Sequence, residues 1–464
     1  MRVTLGANLV IHHPGRHLED LLALARWKTR GGYGKRIVTM RRYDDAADTL
    51  TLPRGLWPLD PRFGPFEVAD ERLTLPEVSF RWRGPRVGAG HVHDLDPYQR
   101  DVAARLYRFG GGMLVAPTGA GKTACAIRVI AAWRQPAIWI VDTASLFDQA
   151  MTKAHEYLNL PPSAYGTVTD GKVRPGTHFT VAMRQTLAAV RDREFWRLFG
   201  AVFADEGDLA ASRTWRTVIC RFPARYRAAC TATPERVDRL HPIVFALVGQ
   251  RRFEVTEQQA IDAGRIIRIG VKVVRTGIRF PPQETWPVAQ RARADNAERN
   301  WLISQCVAAD ARDGHSVLVL VQLLSQAKYL TDLLRAMGIS ARMATGKVAP
   351  GLRRRRIAAA EDGRLSVVVA NRIINRGVDV PRWDRLHMAD PYRSAPILEQ
   401  QLGRVKRAFG GKQDALVIDY WDEGRPWERQ QAARKRFYAK RGYDVRDDGP
   451  FPGARAGGGK VSDR

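Results

Sequence analysis

Residues 92–425 read as two α/β units in tandem, each a parallel sheet covered by helices, behind a smaller block at 1–91. Three observations point there. From Leu95 onward, short apolar runs alternate with longer amphipathic segments, the pattern of βαβ units whose strands are buried on both faces. The alternation pauses over 251–284 and then resumes, so there are two such units and a linker. A chain of 464 residues is also too long for one core, since domains run to about 100–200 residues each.

In the N-terminal block, Leu18, Leu21, Leu22 and Ala25 fall at helical spacing within Leu18–Trp27, and the rest reads as short strands and turns. The first unit, 92–250, takes its strands from Met113–Ala116, Ala137–Val141, Phe179–Met183, Ala201–Ala204 and Ala228–Cys230. The second, 285–425, takes Val317–Val321, Val367–Ala370, Leu386–Met388 and Ala415–Asp419. A basic tail, 426–464, starts helical and runs out through Gly457–Gly459.

The formal net charge is +27, and each of these stretches is net basic. Solubility needs only a net charge of about 2–8 in a small domain. The excess points to a polyanion, most simply nucleic acid. Arg353–Arg356 form the densest run, readable as a solvated helix face or as phosphate contacts. No apolar stretch approaches the roughly 18 residues of a membrane span, and no signal peptide is visible. Cys125, Cys220, Cys230 and Cys306 show neither CxxC nor metal spacing, which excludes a disulfide scaffold or zinc ribbon and fits a reducing cytoplasm.

The chemistry begins at Ala116, Pro117, Thr118, Gly119, Ala120, Gly121, Lys122 and Thr123. This run follows a strand and opens a helix, the setting a phosphate-binding loop requires. Its glycines let main-chain amides turn toward phosphate oxygens, and the helix N-terminus adds positive potential. Lys122 is expected on the β- and γ-phosphates of ATP and Thr123 on Mg²⁺. Ala116 stands where the strict pattern has Gly, a position that only opens the turn. Downstream, Val202-Phe-Ala-Asp-Glu-Gly-Asp208 is an apolar strand ending in carboxylates. Asp205 is expected as the magnesium partner and Glu206 as the general base that activates water.

The ordered set of motifs over 95–425 resembles the superfamily 2 DNA helicases, nearest the phage-type and type III restriction subunit-like members. Leu95-Asp-Pro-Tyr-Gln-Arg100 is similar to the family's Q-type motif, which implies that Gln99 reads adenine. Asp205-Glu-Gly-Asp208 resembles the DExD/H motif, and Thr231-Ala-Thr233 the motif that couples hydrolysis to movement. Asn375-Arg-Gly-Val-Asp-Val-Pro381 resembles motif V, and Gln400-Gln-Leu-Gly-Arg-Val-Lys-Arg407 motif VI. The resemblance implies two RecA-like domains with ATP between them. Gly377 and Asp379 would then face the nucleotide, and Arg404 and Arg407 would act as arginine fingers on its γ-phosphate. It also implies that Asp208, Thr231, Thr233 and Gln400 transmit nucleotide state.

The same resemblance implies a strand crossing both domains, with Thr143, Gln149, Arg184 and Gln185 as contacts in the first and Asn371 and Arg372 in the second. Contacts of this kind go mainly to phosphates, so binding is expected to be indifferent to sequence. Asp208 departs from a common His, Gly207 from Ala or Cys, Asp142 from Pro and Asn371 from Thr. The expected activity is ATP-driven movement along or remodelling of DNA in replication, recombination or repair. A restriction-type motor subunit and an RNA helicase stand as alternatives. Residues 1–91, with Arg81-Trp-Arg83, are expected to be an accessory nucleic-acid-binding domain, or for Trp82 a buried edge-strand residue.

Overall fold

The computed structural model describes residues 1–29, 37–87, 91–92, 94–234, 238–283, 285–371, 378 and 380–450. Two compact units divide the chain, Met1–Ala263 and Gly264–Arg464.

Two large sheets build the first unit, beside two two-stranded ones. Residues 1–70 supply a five-stranded one in the order Arg42–Asp44, Thr49–Leu52, Leu9–His12, Arg2–Leu5, Glu67–Asp70. Alternation of apolar and polar residues turns Val3, Leu5, Leu9, Ile11, Leu50 and Leu52 into one core. Helix Leu18–Leu24 closes over it through Leu21, ending before the expected Trp27, which joins a strand, Arg26–Lys28, instead.

The second sheet runs Lys172–Arg174, Tyr165–Thr169, Phe179–Met183, Ala137–Val141, Ala201–Ala204, Tyr226–Thr231, Gly111–Val115, Arg252–Glu254. All pairs are parallel except the first. Helix Pro97–Phe109 enters it with every signal local: Asp96 caps, Pro97 takes the first position, Gln99 completes a capping box, and Gly110 ends the helix at φ 69°.

Two buried guanidinium groups fasten the N-terminal block to this sheet. Arg54 donates to the carbonyls of Gly6 and Ala224 at 3.1 and 2.6 Å. Arg227 donates to those of Leu247, Ala7 and Phe222 at 3.1, 3.0 and 2.6 Å. Burial holds Arg54 well below the ordinary arginine range and Arg227 at about 10. Arg81-Trp-Arg83 also docks here. Trp82 makes an isolated bridge to Leu158 and packs on Tyr157, half-buried rather than buried in an edge strand, while Arg81 and Arg83 stay exposed.

The second unit is one seven-stranded, wholly parallel sheet: Ala341–Ala344, Val367–Ala370, Val317–Leu320, Arg385–Met388, Leu416–Glu423, Gly270–Arg279, Asp444–Pro450. Apolar layers lie on both faces.

Two expectations about boundaries are corrected. The stretch 251–284 is not a linker: Arg252–Glu254 is an edge strand of the first unit's sheet, and Gly270–Arg279 an inner strand of the second. Phe253, Val271, Val273 and Val274 are buried there, in runs whose flanking arginines hide the apolar pattern. Nor are residues 426–450 a tail. Helix Trp427–Arg441 buries Trp427 and Tyr438, and Asp444–Pro450 pairs with Gly270–Arg279. The expected end through Gly457–Gly459 lies outside the described residues.

Candidate active site

Strands Ala201–Ala204, Tyr226–Thr231 and Gly111–Val115 are consecutive neighbours, and their register sets Val115 beside Thr231 and Ala204 beside Ala229. The loop 116–123, the acidic run 205–208 and Thr231–Thr233 therefore leave the carboxyl ends of three adjoining parallel strands. That edge is where α/β sheets take their ligands.

The loop turns on Gly119 at φ 92° and Gly121 at φ 84°, the latter capping helix Lys122–Trp133. A side chain at 121 would also collide with the Gln99 amide. Lys122 curls over the loop, its ammonium 3.0 Å from the Ala116 carbonyl and 3.2 Å from that of Pro117. Thr123 sits in the first helical turn, partly exposed. Ala116 is buried and donates its main-chain N–H to the Thr231 carbonyl at 3.1 Å.

Gln99 has both ends of its amide engaged within the protein. Oε1 accepts from the Asp96 main-chain N–H at 3.0 Å, and Nε2 donates to the Ala120 carbonyl at 3.0 Å and the Tyr98 hydroxyl at 3.2 Å. Tyr98 donates to the same Ala120 carbonyl at 2.9 Å. The pair thus ties the start of helix Pro97–Phe109 to the phosphate loop.

Asp205 accepts from the Glu206 main-chain N–H at 2.9 Å and from Cys230 Sγ at 3.2 Å. Burial pushes its carboxyl up to about 6, Glu206 adds to the rise, and Cys230 and Lys122 oppose it. Glu206 holds a left-handed conformation, φ 50° and ψ 53°, which a non-glycine residue adopts at a cost of order 1–3 kcal/mol. Gly207 is there for space rather than flexibility: a Cβ would stand 2.9 Å from Ala229 Cβ and 3.2 Å from Met113 Sδ. Asp208 is buried and accepts from Thr231 Oγ1 at 3.2 Å, and Thr231 Oγ1 accepts in turn from the Thr233 main-chain N–H at 3.2 Å. The acidic run and the Thr-Ala-Thr segment are thereby one hydrogen-bonded piece.

These residues fit a nucleotide with its magnesium. The glycine turns cradle anionic oxygens, Lys122 matches their charge, and a buried carboxyl held at about 6 is a group that a cation would bring back to its charged form.

Two further strands, Ala137–Val141 and Phe179–Met183, adjoin this edge and carry the expected strand contacts. Asp142 gathers them: Arg184 Nε donates to its carboxylate at 2.7 Å and Gln185 Nε2 to its carbonyl at 3.0 Å. Thr143 caps helix Ala144–Tyr157 by accepting from the Leu146 N–H at 3.3 Å, and Gln149 lies on that helix.

In the second unit, Asn371 directly follows strand Val367–Ala370, while Arg372, Gly377 and Asp379 lie outside the described residues. Gln400 is buried on helix Ala395–Leu402. Arg404 follows that helix and donates to the Val378 carbonyl, and Arg407 bridges through its main chain to Ile266. Lys412 is a residue that the sequence pattern does not single out. Its ammonium donates to the carbonyls of Pro381, Trp383, Val405 and Arg407 at 3.2, 2.6, 2.6 and 2.9 Å, joining the end of motif V to motif VI. Burial pulls its pKa down to about 8, against the opposing charges of Asp384 and Asp414. A lone Lys in Gly410-Gly-Lys412 carries no signal of this.

Comparison with known proteins bears on the same segments. The family model for the type III restriction enzyme res subunit matches residues 93–236, and that for the helicase conserved C-terminal domain matches 298–409. The chain belongs to the superfamily 2 helicases. This helicase-family chain is 24% identical over 367 residues to the DNA 3'-5' helicase XPB of Kineococcus radiotolerans, covering 76% of this chain and 64% of that one. It is 29% identical over 156 residues to the DNA 3'-5' translocase XPB2 of Sulfurisphaera tokodaii, 34% of each. It thus spans less than two thirds of the length of these relatives. Among solved structures, S. cerevisiae Dbp5 bound to RNA and ADP BeF3 superposes with a TM-score of 0.55 at 14% identity, over 76% of this chain and 94% of that one. That likeness is one of fold, two tandem RecA-like domains. Among the described residues no helix is long and apolar enough to cross a membrane.

Proposed function

We propose that this chain is an ATP-dependent DNA helicase or translocase that uses Mg²⁺. The observation that carries the proposal is the meeting of phosphate loop, Asp205–Glu206 and Thr231–Thr233 at the ends of three adjoining strands. Lys122 and the loop amides hold the phosphates, and Thr123 and Asp205 hold the magnesium, which when bound neutralises phosphate charge. Glu206, pinned at its unusual backbone angles, accepts the proton of the attacking water. Arg404 and Arg407 supply guanidinium charge to the nucleotide. The Asp208–Thr231–Thr233 hydrogen bonds carry the state of the phosphate site to the Thr-Ala-Thr segment.

DNA is favoured over RNA because the XPB relatives are named as DNA enzymes. Contacts by Thr143, Gln149, Arg184, Gln185, Asn371 and Arg372 go to phosphates and make binding indifferent to sequence. The restriction-subunit model over 93–236 supports a second reading, a motor working beside a separate restriction partner. The test is ATP hydrolysis with single-stranded DNA, duplex DNA or RNA, or without nucleic acid. Stimulation by DNA well above RNA is expected. Stimulation by RNA alone would overturn the DNA assignment, and no hydrolysis at all would overturn the motor.

A further inference from the structure

The seam between the N-terminal sheet and the first α/β sheet opens into a cleft of about 360 Å³. Four arginines line it: Arg41 and Arg42 from the N-terminal block, Arg213 and Arg216 from helix Arg213–Ile219 of the α/β sheet. Among the described residues none of the four forms an ion pair with a carboxylate, and no acidic side chain lines the cleft. Other arginines of this unit do have carboxylate partners, Arg72 and Arg225 in Asp70 and Arg184 in Asp142. Here like charges face one another. Burial keeps Arg216 below its ordinary pKa, and the Arg213 charge adds to that. Thr39 and Thr51 also line the cleft, while the Thr217 hydroxyl donates to the Arg213 carbonyl at 3.1 Å. The seam is fixed rather than open to adjustment, because Arg54 and Arg227 staple it and Asn8 donates across it to the Cys220 carbonyl at 3.4 Å.

We propose that this cleft seats the sugar-phosphate backbone of DNA, outside the strand contacts of the motor edge. Guanidinium groups paired with hydroxyls and uncompensated by acids match phosphodiester oxygens, and the lining offers no aromatic ring on which a base could stack. A second arginine-rich cleft is reached through Ala7 and Arg221, the chain neighbours of Asn8 and Cys220; Arg191 and Arg193 line it too, with Trp196 and one acid, Glu194, which pairs with Arg197. A phosphate path can continue there. The proposal rests on the DNA-motor reading above and adds a second anchor to it.

The test measures binding of a duplex and of a single strand of equal length across a salt series. It compares the full-length protein with R41Q/R42Q, R213Q/R216Q and the quadruple variant. The quadruple variant is expected to lose at least about tenfold in duplex affinity near 0.1 M salt. Its log-log salt slope should become shallower by about 0.9 for each phosphate that is no longer neutralised, with each double variant taking part of the change. DNA-independent ATP turnover should be unchanged, since none of the four residues lies at the nucleotide site. A slope change on the single strand but not the duplex would place single-stranded backbone in the cleft and still support it. Unchanged affinity and slope on both DNAs, in protein with wild-type thermal unfolding, would overturn it. Should the quadruple variant fail to fold, the two double variants decide by the same slope criterion. Wild-type protein that shows no DNA-stimulated hydrolysis, yet loses binding on substitution, would sink the motor reading and leave the cleft standing.

Discussion

The two α/β units share a plan and differ in what lies under their sheets. In the first, the buried guanidinium groups of Arg54 and Arg227 end on main-chain carbonyls at the seam with the N-terminal block. In the second, buried arginines meet buried carboxylates. Arg293 Nε and Arg299 Nε reach Asp422 at 2.7 and 2.9 Å, Arg293 also reaches Asp390 at 3.2 Å, and Arg434 reaches Asp419 at 2.8 Å. Thr276 donates to Asp422 as well, at 2.8 Å. Burial alone would raise the Asp422 carboxyl, but Arg299 and Arg293 outweigh it and hold it below its ordinary value. The contrast separates two ways of placing chemistry. The first unit shapes its phosphate loop within a short run of chain, by that run's own glycines and caps. The second holds its arginines through contacts between residues far apart, Arg293 and Asp422 being 129 positions from each other.

The largest expected effect strikes the local design. Lys122→Ala should abolish ATP turnover and weaken nucleotide binding while leaving the far-ultraviolet circular dichroism unchanged. Near-wild-type hydrolysis by the purified variant would remove the loop from the site.

The second unit's contribution is next. Arg404→Ala should leave nucleotide binding largely intact and cut DNA-stimulated hydrolysis by on the order of 10³. Lys at 404 should rescue poorly, because an ammonium lacks the planar fork of guanidinium. Equal loss of binding and turnover would mean that Arg404 is a binding residue and no finger.

Breaking the buried network sharpens the comparison in stability. Asp422→Ala leaves two buried guanidinium groups without their shared partner and should cost about 3–5 kcal/mol in denaturant unfolding of the second unit. The folded pKa of Asp422 is lowered, so its stabilisation is present above the ordinary aspartate pKa and fades as pH falls through the lowered value. The variant should therefore lose part of the wild type's decline in stability toward acid. A loss below about 1 kcal/mol would show that the pairs merely offset their own burial.

The smallest effect tests packing in the first unit. Gly207→Ala puts a methyl 2.9 Å from Ala229 Cβ and should cost about 1–3 kcal/mol, read as a shift in thermal unfolding. A neutral result would show that Ala229 and Met113 give way to the methyl and that the close approach does not require glycine.

Legibility followed the same division. The sequence by itself determined the parallel α/β class, the phosphate loop, the acidic strand end and the order of the helicase motifs. These depend on residues within a few positions of one another: a strand, two glycines at positive φ, and a capping box at Asp96 and Gln99. It also carried the basic charge, which composition records without any fold. Only the tertiary structure decided that 251–284 is shared between two sheets, because the strands Arg252–Glu254 and Gly270–Arg279 gain their burial from partners elsewhere in the chain. Only it showed Asp142 gathering Arg184 and Gln185, Lys412 gathering four carbonyls, and Asp422 gathering Arg293 and Arg299. Each is a polar group whose burial is tolerable solely because the fold brings acceptors or counter-charges to it. Such partners are a property of long-range packing, and no window of sequence contains them.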